Sequence, residues 1–404
     1  MALEGNVLIG QSGGPTSVIN SSLYGIITEA KKHGFIREIY GAVHGIEGVL
    51  RKQIIDLRRE TDEVIDGLKR TPGAALGGCR YKLQDTDMGT VFRVFDSADI
   101  RYFFYIGGND SMDTAARLNK AAKEQGYELR VIGVPKTIDN DLPETHHCPG
   151  FGSCAKYVAT SVREAGLHTA SMYTSEPITI LQTVGRNTGW LPGASALAKS
   201  QEDDAPHLIY FPEIAFSIEK FLEEVEATYR RVGGAFIVVG EGLKDARGEY
   251  IEVQEDDVAT DAFGHPTLGG VSEFLRNAIE KNLKIKARNI KLDICQQAAM
   301  HFASLRDVND AVAVGKAAVD AAASGLSGFM VTLLKEEAAT GLIELEKVAN
   351  VERKVPVEWM NKEGNFVTSD FLEYAHPLIQ GEARVLVEDG LPVYARLKKS
   401  FIQL

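Results

Sequence analysis

Short apolar runs recur along this chain, each followed by a loop of small or acidic residues and then by a stretch with helical apolar spacing. Residues 6–9, 103–106, 131–134, 178–183, 208–211 and 235–239 are such runs, and 35–43, interrupted by Arg37 and Glu38, reads as another strand. A run that is apolar throughout, rather than alternating, suits a strand buried on both faces, with helices making the crossovers between parallel neighbours. The pattern predicts an α/β fold with doubly wound, mainly parallel sheets. A chain of 404 residues is too long for one ordinary core, so two domains are expected. No internal repeat and no low-complexity linker marks where they join.

The most informative loop is P-K-T-I-D-N-D-L at residues 135–142, directly after the run 131–134. Asp139 and Asp141 are two residues apart, so in an extended backbone both carboxylates would project to one side. Alone, D-N-D reads more readily as a surface turn, because Asp and Asn favour turns. A second acidic loop, Gly107-Gly108-Asn109-Asp110-Ser111, follows the run 103–106 and reverses that balance. Two such loops, each after a strand, suggest one crevice at the carboxyl ends of a parallel sheet. Acids beside Lys136 and bare backbone amides suit Mg²⁺ and phosphate chemistry better than hydrolysis of a neutral substrate. After the acidic loop a helix is expected, capped by Ser111 or Asp110, running to about Gln125 and stopped by Gly126.

The first apolar run leads into Gly10-Gln11-Ser12-Gly13-Gly14-Pro15-Thr16-Ser17, with Ser17 placed to cap a helix to about Lys32. Strand, glycine-rich turn and helix make a phosphate-binding arrangement. The spacing is neither G-x-x-x-x-G-K-[ST] nor G-x-G-x-x-G, and a purely structural tight turn is an even alternative. In L-G-G-C-R-Y-K, Gly77 and Gly78 would let the backbone approach a ligand while Arg80 forks onto phosphate oxygens. Strands at 178–183 and 235–239 deliver Val184-Gly185-Arg186 and Gly240-Glu241-Gly242. A strand is expected at 289–294, a helix at 307–324 burying Ala311, Val314 and Ala318, and a strand pair from 329–333 and 343–346. Residues 244–264 read as a polar loop or hairpin.

Net charge is −12 and the pI near 5.4, which argues against a nucleic-acid groove or an anionic membrane surface as partner. An anionic substrate then needs a local pocket of Lys and Arg. The four cysteines, Cys79, Cys148, Cys154 and Cys295, make no C-x-x-C pair and no zinc spacing, as expected of reduced thiols in a cytoplasmic protein. No apolar run approaches the roughly 20 residues of a membrane span, and no signal peptide is evident.

Together, G-Q-S-G-G-P-T-S-V-I-N, L-G-G-C-R-Y-K, G-G-N-D-S, P-K-T-I-D-N-D, G-F-G-S, V-G-R, G-E-G and E-Y-A-H-P-L-I-Q-G-E resemble the phosphofructokinase family, most closely its pyrophosphate-dependent branch. The likeness spans nearly the whole chain, and P-K-T-I-D-N-D beside G-G-N-D-S is its most specific part. It implies Mg²⁺-dependent, reversible phosphoryl transfer from pyrophosphate to the 1-hydroxyl of fructose 6-phosphate, a glycolytic step, by a cytoplasmic homo-oligomer (dimer or tetramer). It implies an active site in the cleft between a larger donor domain, 1–145 plus about 262–312, and a smaller sugar-phosphate domain, about 146–261 plus 313–404. By this resemblance Asp139 accepts the sugar hydroxyl proton, Arg80 bridges transferred phosphate and sugar, and Gly13 offers a backbone amide to the transferred group. Gly14, Gly108, Asp110, Ser111, Lys136 and Thr137 would hold the donor. Thr137, Asp139, Asp141, Val184, Gly185, Arg186, Glu241 and Tyr374 would hold the sugar, and Asn109 and Asp139 the metal. Arg288 matches an arginine that reaches a neighbouring subunit's sugar phosphate.

Asp110 stands where ATP-using relatives have glycine, so its carboxylate would fill the nucleotide path and repel the α-phosphate, while Lys136 marks pyrophosphate users. Three residues depart from the family pattern. Asn109 replaces a metal-binding Asp, Gln297 replaces an arginine for the 6-phosphate, and Ile294 takes a sugar-site histidine's place. Arg276, Lys291 and Arg306 are the local cations that could compensate, beside Arg288. Gln297 motivates a rival reading with another sugar phosphate or a polyol as acceptor. A non-catalytic regulatory subunit is the rival from another class, and retention of both Asp139 and Asp141 weighs against it.

Overall fold

The computed structural model of the chain describes residues 3–251 and 270–404. Its main strands are β1 (Gly5–Gln11), β2 (Ile36–Ala42), β3 (Ile54–Asp56), β4 (Ile100–Gly107), β5 (Arg130–Pro135), β6 (Ile178–Thr183), β7 (Leu208–Tyr210), β8 (Ala235–Gly240), β9 (Ala287–Lys291), β10 (Phe329–Leu333) and β11 (Thr340–Glu344). The chain divides into two compact units. The first comprises Met1–Ser153, Gln297–Arg353 and Gly381–Leu404; the second, Cys154–Gln296 and Lys354–Gln380.

The first unit is built on one seven-stranded sheet in the order β11-β10-β5-β4-β1-β2-β3. Its five inner strands pair in parallel, and only β3 and β11 run antiparallel, at the two edges. Successive side chains of β1, β4, β5 and β10 enter different cores. Val7, Ile9, Phe104, Ile106, Ile132 and Val134 join one, with the helices Ile19–Ala30 and Leu305–Ala323. Leu8, Phe103, Tyr105 and Val131 join the other, with the helices Met88–Ser97 and Asn109–Glu124. Burial on both faces is why these strands are apolar without alternation.

The second unit carries the parallel sheet β7-β8-β6-β9. Ile178, Ile180, Ile237 and Val239 pack under the helices Ile218–Val232 and Val271–Asn282. The α/β prediction therefore holds for both units.

Several local expectations are corrected. The division differs from the expected one: 313–353 and 381–404 belong to the first unit, because Leu305–Ala323 packs on Ile19–Ala30 and β10 pairs with β5. Residues 270–296 belong to the second unit, since β9 pairs with β6. Ser17 does not cap the first helix, which begins after Val18; its hydroxyl donates instead to the Gln297 carbonyl at 3.3 Å. Neither Ser111 nor Asp110 caps the helix Asn109–Glu124, whose N-cap is Gly108. The expected strand at 289–294 ends at Lys291, because Asp293 turns into positive φ and leaves Ile294 exposed. In the polar stretch 244–264, Lys244 and Tyr250 form an antiparallel bridge; its part beyond residue 251 lies outside the described residues.

Residues 395–402 lie along the first segment. Ile402 N–H donates to Ile54 O at 2.9 Å and Asp56 N–H to Ser400 O at 2.9 Å. Lys398 N–H donates to Glu60 Oε1 at 2.8 Å and Ala395 N–H to Thr71 Oγ1 at 2.9 Å.

Candidate active site

β1, β4 and β5 end together, with Gln11 beside Ile106 and Gly107 beside Pro135. The chain leaves β1 towards β2 on one side and has β4 on the other, so the loops after β1 and β4 diverge at a switch point of the sheet. Four loops meet there. Ser12 N–H donates to Ile106 O at 2.8 Å, Gly13 N–H to Cys79 O at 2.8 Å, and Lys136 N–H to Gly107 O at 3.0 Å. A β-carbon on Gly78 would fall 2.7 Å from Gly13 O, so glycine is what lets the Arg80 loop lie against the first loop.

Lys136 ties this cluster. Its ammonium donates to Gly14 O at 2.8 Å, and the side chain is almost wholly buried. Burial pulls its pKa down to about 8 against the Asp139 and Asp141 carboxylates, and Arg80 adds to the lowering. An anion arriving here would restore the full charge.

D-N-D is not extended. Asn140 has φ 55°, is fully buried, and accepts from Cys148 N–H at 3.0 Å through Oδ1. Thr137 Oγ1 accepts from Asp139 N–H at 3.1 Å. The two carboxylates are neighbours because the chain turns tightly between them, not because of strand alternation. Burial, then Asp139 and Glu352, push the Asp141 carboxyl up to about 7. Its Oδ1 is enclosed and has no hydrogen-bond partner. Such an oxygen suits a divalent cation. Asn109 Oδ1 accepts from Asp110 N–H at 2.8 Å and keeps a second lone pair for the same use.

The Asp141 shift has a stability consequence. A carboxyl whose folded pKa is raised favours folding least once it ionises, so the cost grows as pH rises from about 4 and levels off above about 7. Asp141→Asn is therefore expected to melt above the parent protein at pH 8, by a margin that shrinks as pH falls towards 4. Calorimetry across that range checks it; a constant margin would remove the titration from the explanation.

The turn is braced from outside the motif. Asp307 accepts from Gly150 N–H and Ser153 N–H, both at 2.9 Å, and Thr137 N–H donates to Pro149 O at 3.2 Å. Asp310 accepts from His147 Nε2 at 2.8 Å, with both side chains buried. Neither acid was anticipated. The signal was present, because both share the buried face of their helix with Ala311 and Val314.

In the second unit, V-G-R and G-E-G follow the paired strands β6 and β8, with Thr183 beside Gly240. Glu241 N–H donates to Thr183 O at 3.2 Å, and a β-carbon on Gly242 would fall 1.6 Å from Arg186 O. That contact brings Val184, Gly185, Arg186 and Glu241 together. Tyr374, on the helix Ser369–Ala375, packs against Trp190 and Trp359 with ring centroids 5.2 and 5.3 Å away. Arg288, on β9, forms an ion pair with Glu176.

One acceptor-side expectation changes. Arg306 is committed elsewhere, its Nε 2.6 Å from Asp310 Oδ2 and its Nη2 3.0 Å from Lys335 O, and using it for phosphate would take an ionic partner from a buried carboxylate. Gln297 lies beside the first loop, its Oε1 3.6 Å from where a Gly14 β-carbon would be.

A doubly wound unit gathers glycine-rich, acidic and D-N-D loops at one sheet end, and the chain belongs to the phosphofructokinase family, whose model, Phosphofructokinase, matches residues 6–322. It is 43% identical to a pyrophosphate–fructose 6-phosphate 1-phosphotransferase of Xanthomonas campestris, over 98% of this chain and 96% of that one. The crystal structure of a pyrophosphate-dependent phosphofructokinase from Marinobacter aquaeolei matches with TM-score 0.90 and 41% identity, over 99% of this chain and 98% of that one. A sulfofructose kinase of Alkalicoccus urumqiensis is 34% identical, over 85% of this chain and 87% of that one. Among the described residues no helix is long and apolar enough to cross a membrane.

Proposed function

We propose that this chain transfers a phosphoryl group reversibly from pyrophosphate to the 1-hydroxyl of fructose 6-phosphate. The observation that carries the reading is the buried Lys136 ammonium, held under the first glycine-rich loop and beside the Asp139–Asp141 turn. Its point charge serves a small anion that brings no adenosine to bind. Gly13, Gly14, Gly108, Ser111 and Thr137 present amides and hydroxyls to the phosphates, and Asp110 closes the way a nucleotide would take. Asp139 takes the proton from the attacking hydroxyl, and Arg80 offsets charge that builds on the transferred group. Asn109, Asp139 and the enclosed Asp141 oxygen are the residues that would hold Mg²⁺, which supplies charge neutralisation on the phosphates. In this reading the first unit carries the donor. The second carries the sugar on Val184, Gly185, Arg186, Glu241 and Tyr374, with Arg288 serving a neighbouring copy in a cytoplasmic homo-oligomer.

A coupled assay of the purified protein across pyrophosphate and ATP, and across phosphorylated and neutral acceptors, tests this. Turnover of fructose 6-phosphate with pyrophosphate is expected. Turnover of a different acceptor instead would favour the second reading, motivated by Gln297 and by the similarity to a sulfofructose kinase. A charge-assisted phosphate contact is worth about 1.5–3 kcal/mol, so Arg288→Ala is expected to raise the sugar KM about 10–100-fold. Gln297→Arg should tighten the sugar or change it little. An unchanged KM in Arg288→Ala would take Arg288 out of the sugar site.

A further inference from the structure

We propose that Arg353 is the positioning residue that sets the geometry of the Asp139–Asp141 turn, an assignment that rests on the phosphotransferase reading above. The chain from Asn140 to His146 makes a loop whose carbonyls point at one guanidinium. Arg353 Nη2 and Nε donate to Asn140 O at 2.9 and 3.3 Å. Its Nη1 donates to Thr145 O at 2.6 Å and to His146 O at 2.9 Å. The Arg353 backbone N–H donates to Asp141 O at 2.6 Å. One residue thus satisfies four carbonyls and joins both ends of the loop that carries the two carboxylates.

The need for a clamp follows from the turn. Asn140 is not glycine yet sits at φ 55°, a region that a side chain populates reluctantly and that must be held by its surroundings. Its own carboxamide secures one side through Cys148, and Arg353 secures the carbonyl side. A planar fork of N–H groups can bridge carbonyls in two directions at once, which a lysine ammonium on a single flexible stem cannot do with the same rigidity. Relaxing the turn would move Asp139 relative to the attacking hydroxyl while leaving the phosphate-binding loops after β1 and β4 in place. The effect belongs in turnover rather than in binding.

The test compares Arg353→Met and Arg353→Lys with the parent protein. Arg353→Met is expected to lower kcat about 10²-fold per correctly folded molecule, the size of loss that a misplacement near 1 Å brings. The KM for pyrophosphate should stay within about threefold. Millimolar methylguanidine should recover part of that turnover in Arg353→Met and none in Asp139→Asn. Arg353→Lys should fall between parent and Met. If Arg353→Met does not fold, Arg353→Lys, which keeps charge and stem, is judged by the same kcat-against-KM split. The proposal is overturned by a folded variant with kcat within threefold of the parent, or by a loss that only tracks the folded fraction. Failure of the parent itself to use pyrophosphate and fructose 6-phosphate would instead remove the underlying phosphotransferase reading.

Discussion

Asp139→Asn is expected to fold and melt like the parent while kcat falls about 10²–10⁴-fold, the contribution of a positioned base. The two side chains are nearly isosteric, and the hydrogen bond from the Asp139 backbone N–H to Thr137 Oγ1 does not involve the carboxylate. The amide cannot take a proton from the attacking hydroxyl, so the loss should appear in turnover, with the sugar KM little changed. Asp141 has a different task in this reading, its enclosed Oδ1 being the oxygen offered to Mg²⁺. Steady-state kinetics of Asp139→Asn and Asp141→Asn side by side decide between them. Near-parental turnover in Asp139→Asn would sink the assignment.

The donor is the second case of a large expected effect. Asp110 lies in the first turn of Asn109–Glu124, where an acid also gains from the helix dipole. That benign role would make Asp110→Gly cost stability alone. If Asp110 excludes nucleotides, its like-charge opposition to an α-phosphate is worth several kcal/mol, or on the order of 10²–10³-fold in kcat/KM. The parent should then prefer pyrophosphate to ATP by at least that factor, and Asp110→Gly should recover part of it for ATP while changing pyrophosphate use far less. A parent that prefers ATP would refute the steric reading. An unaltered donor ratio in the variant would leave Asp110 with only its helix role.

Much of this was legible in the residues because strand burial writes itself directly into sequence. β6 and the helix Asn109–Glu124 fall where the residues place them, since an apolar run and a Gly126 stop are local signals. The site loops were legible for a related reason: glycine, acid and lysine together have few structural uses. Less readable were features decided by tertiary contacts. Ser17 looks like a cap from its neighbours, yet its hydroxyl turns to a carbonyl 280 residues away in sequence. The D-N-D pair fits an extended register, but a buried Asn140 in positive φ bends it. Arg306 appears available as a phosphate cation until Asp310 is seen beneath it. The division into units failed similarly, since nothing in residues 313–353 says which sheet β10 will join.

The seam between residues 395–402 and the first segment also bears on how the protein is made. β3 is the edge strand of its sheet, and its outer backbone groups at Ile54 and Asp56 are met by Ile402 and Ser400. During synthesis the first 153 residues can collapse early, but that edge stays uncovered until residues some 340 positions later have left the ribosome. An unpaired edge is a template for pairing with another nascent chain. On a polysome, the safest partner for β3 is therefore made long after the strand itself.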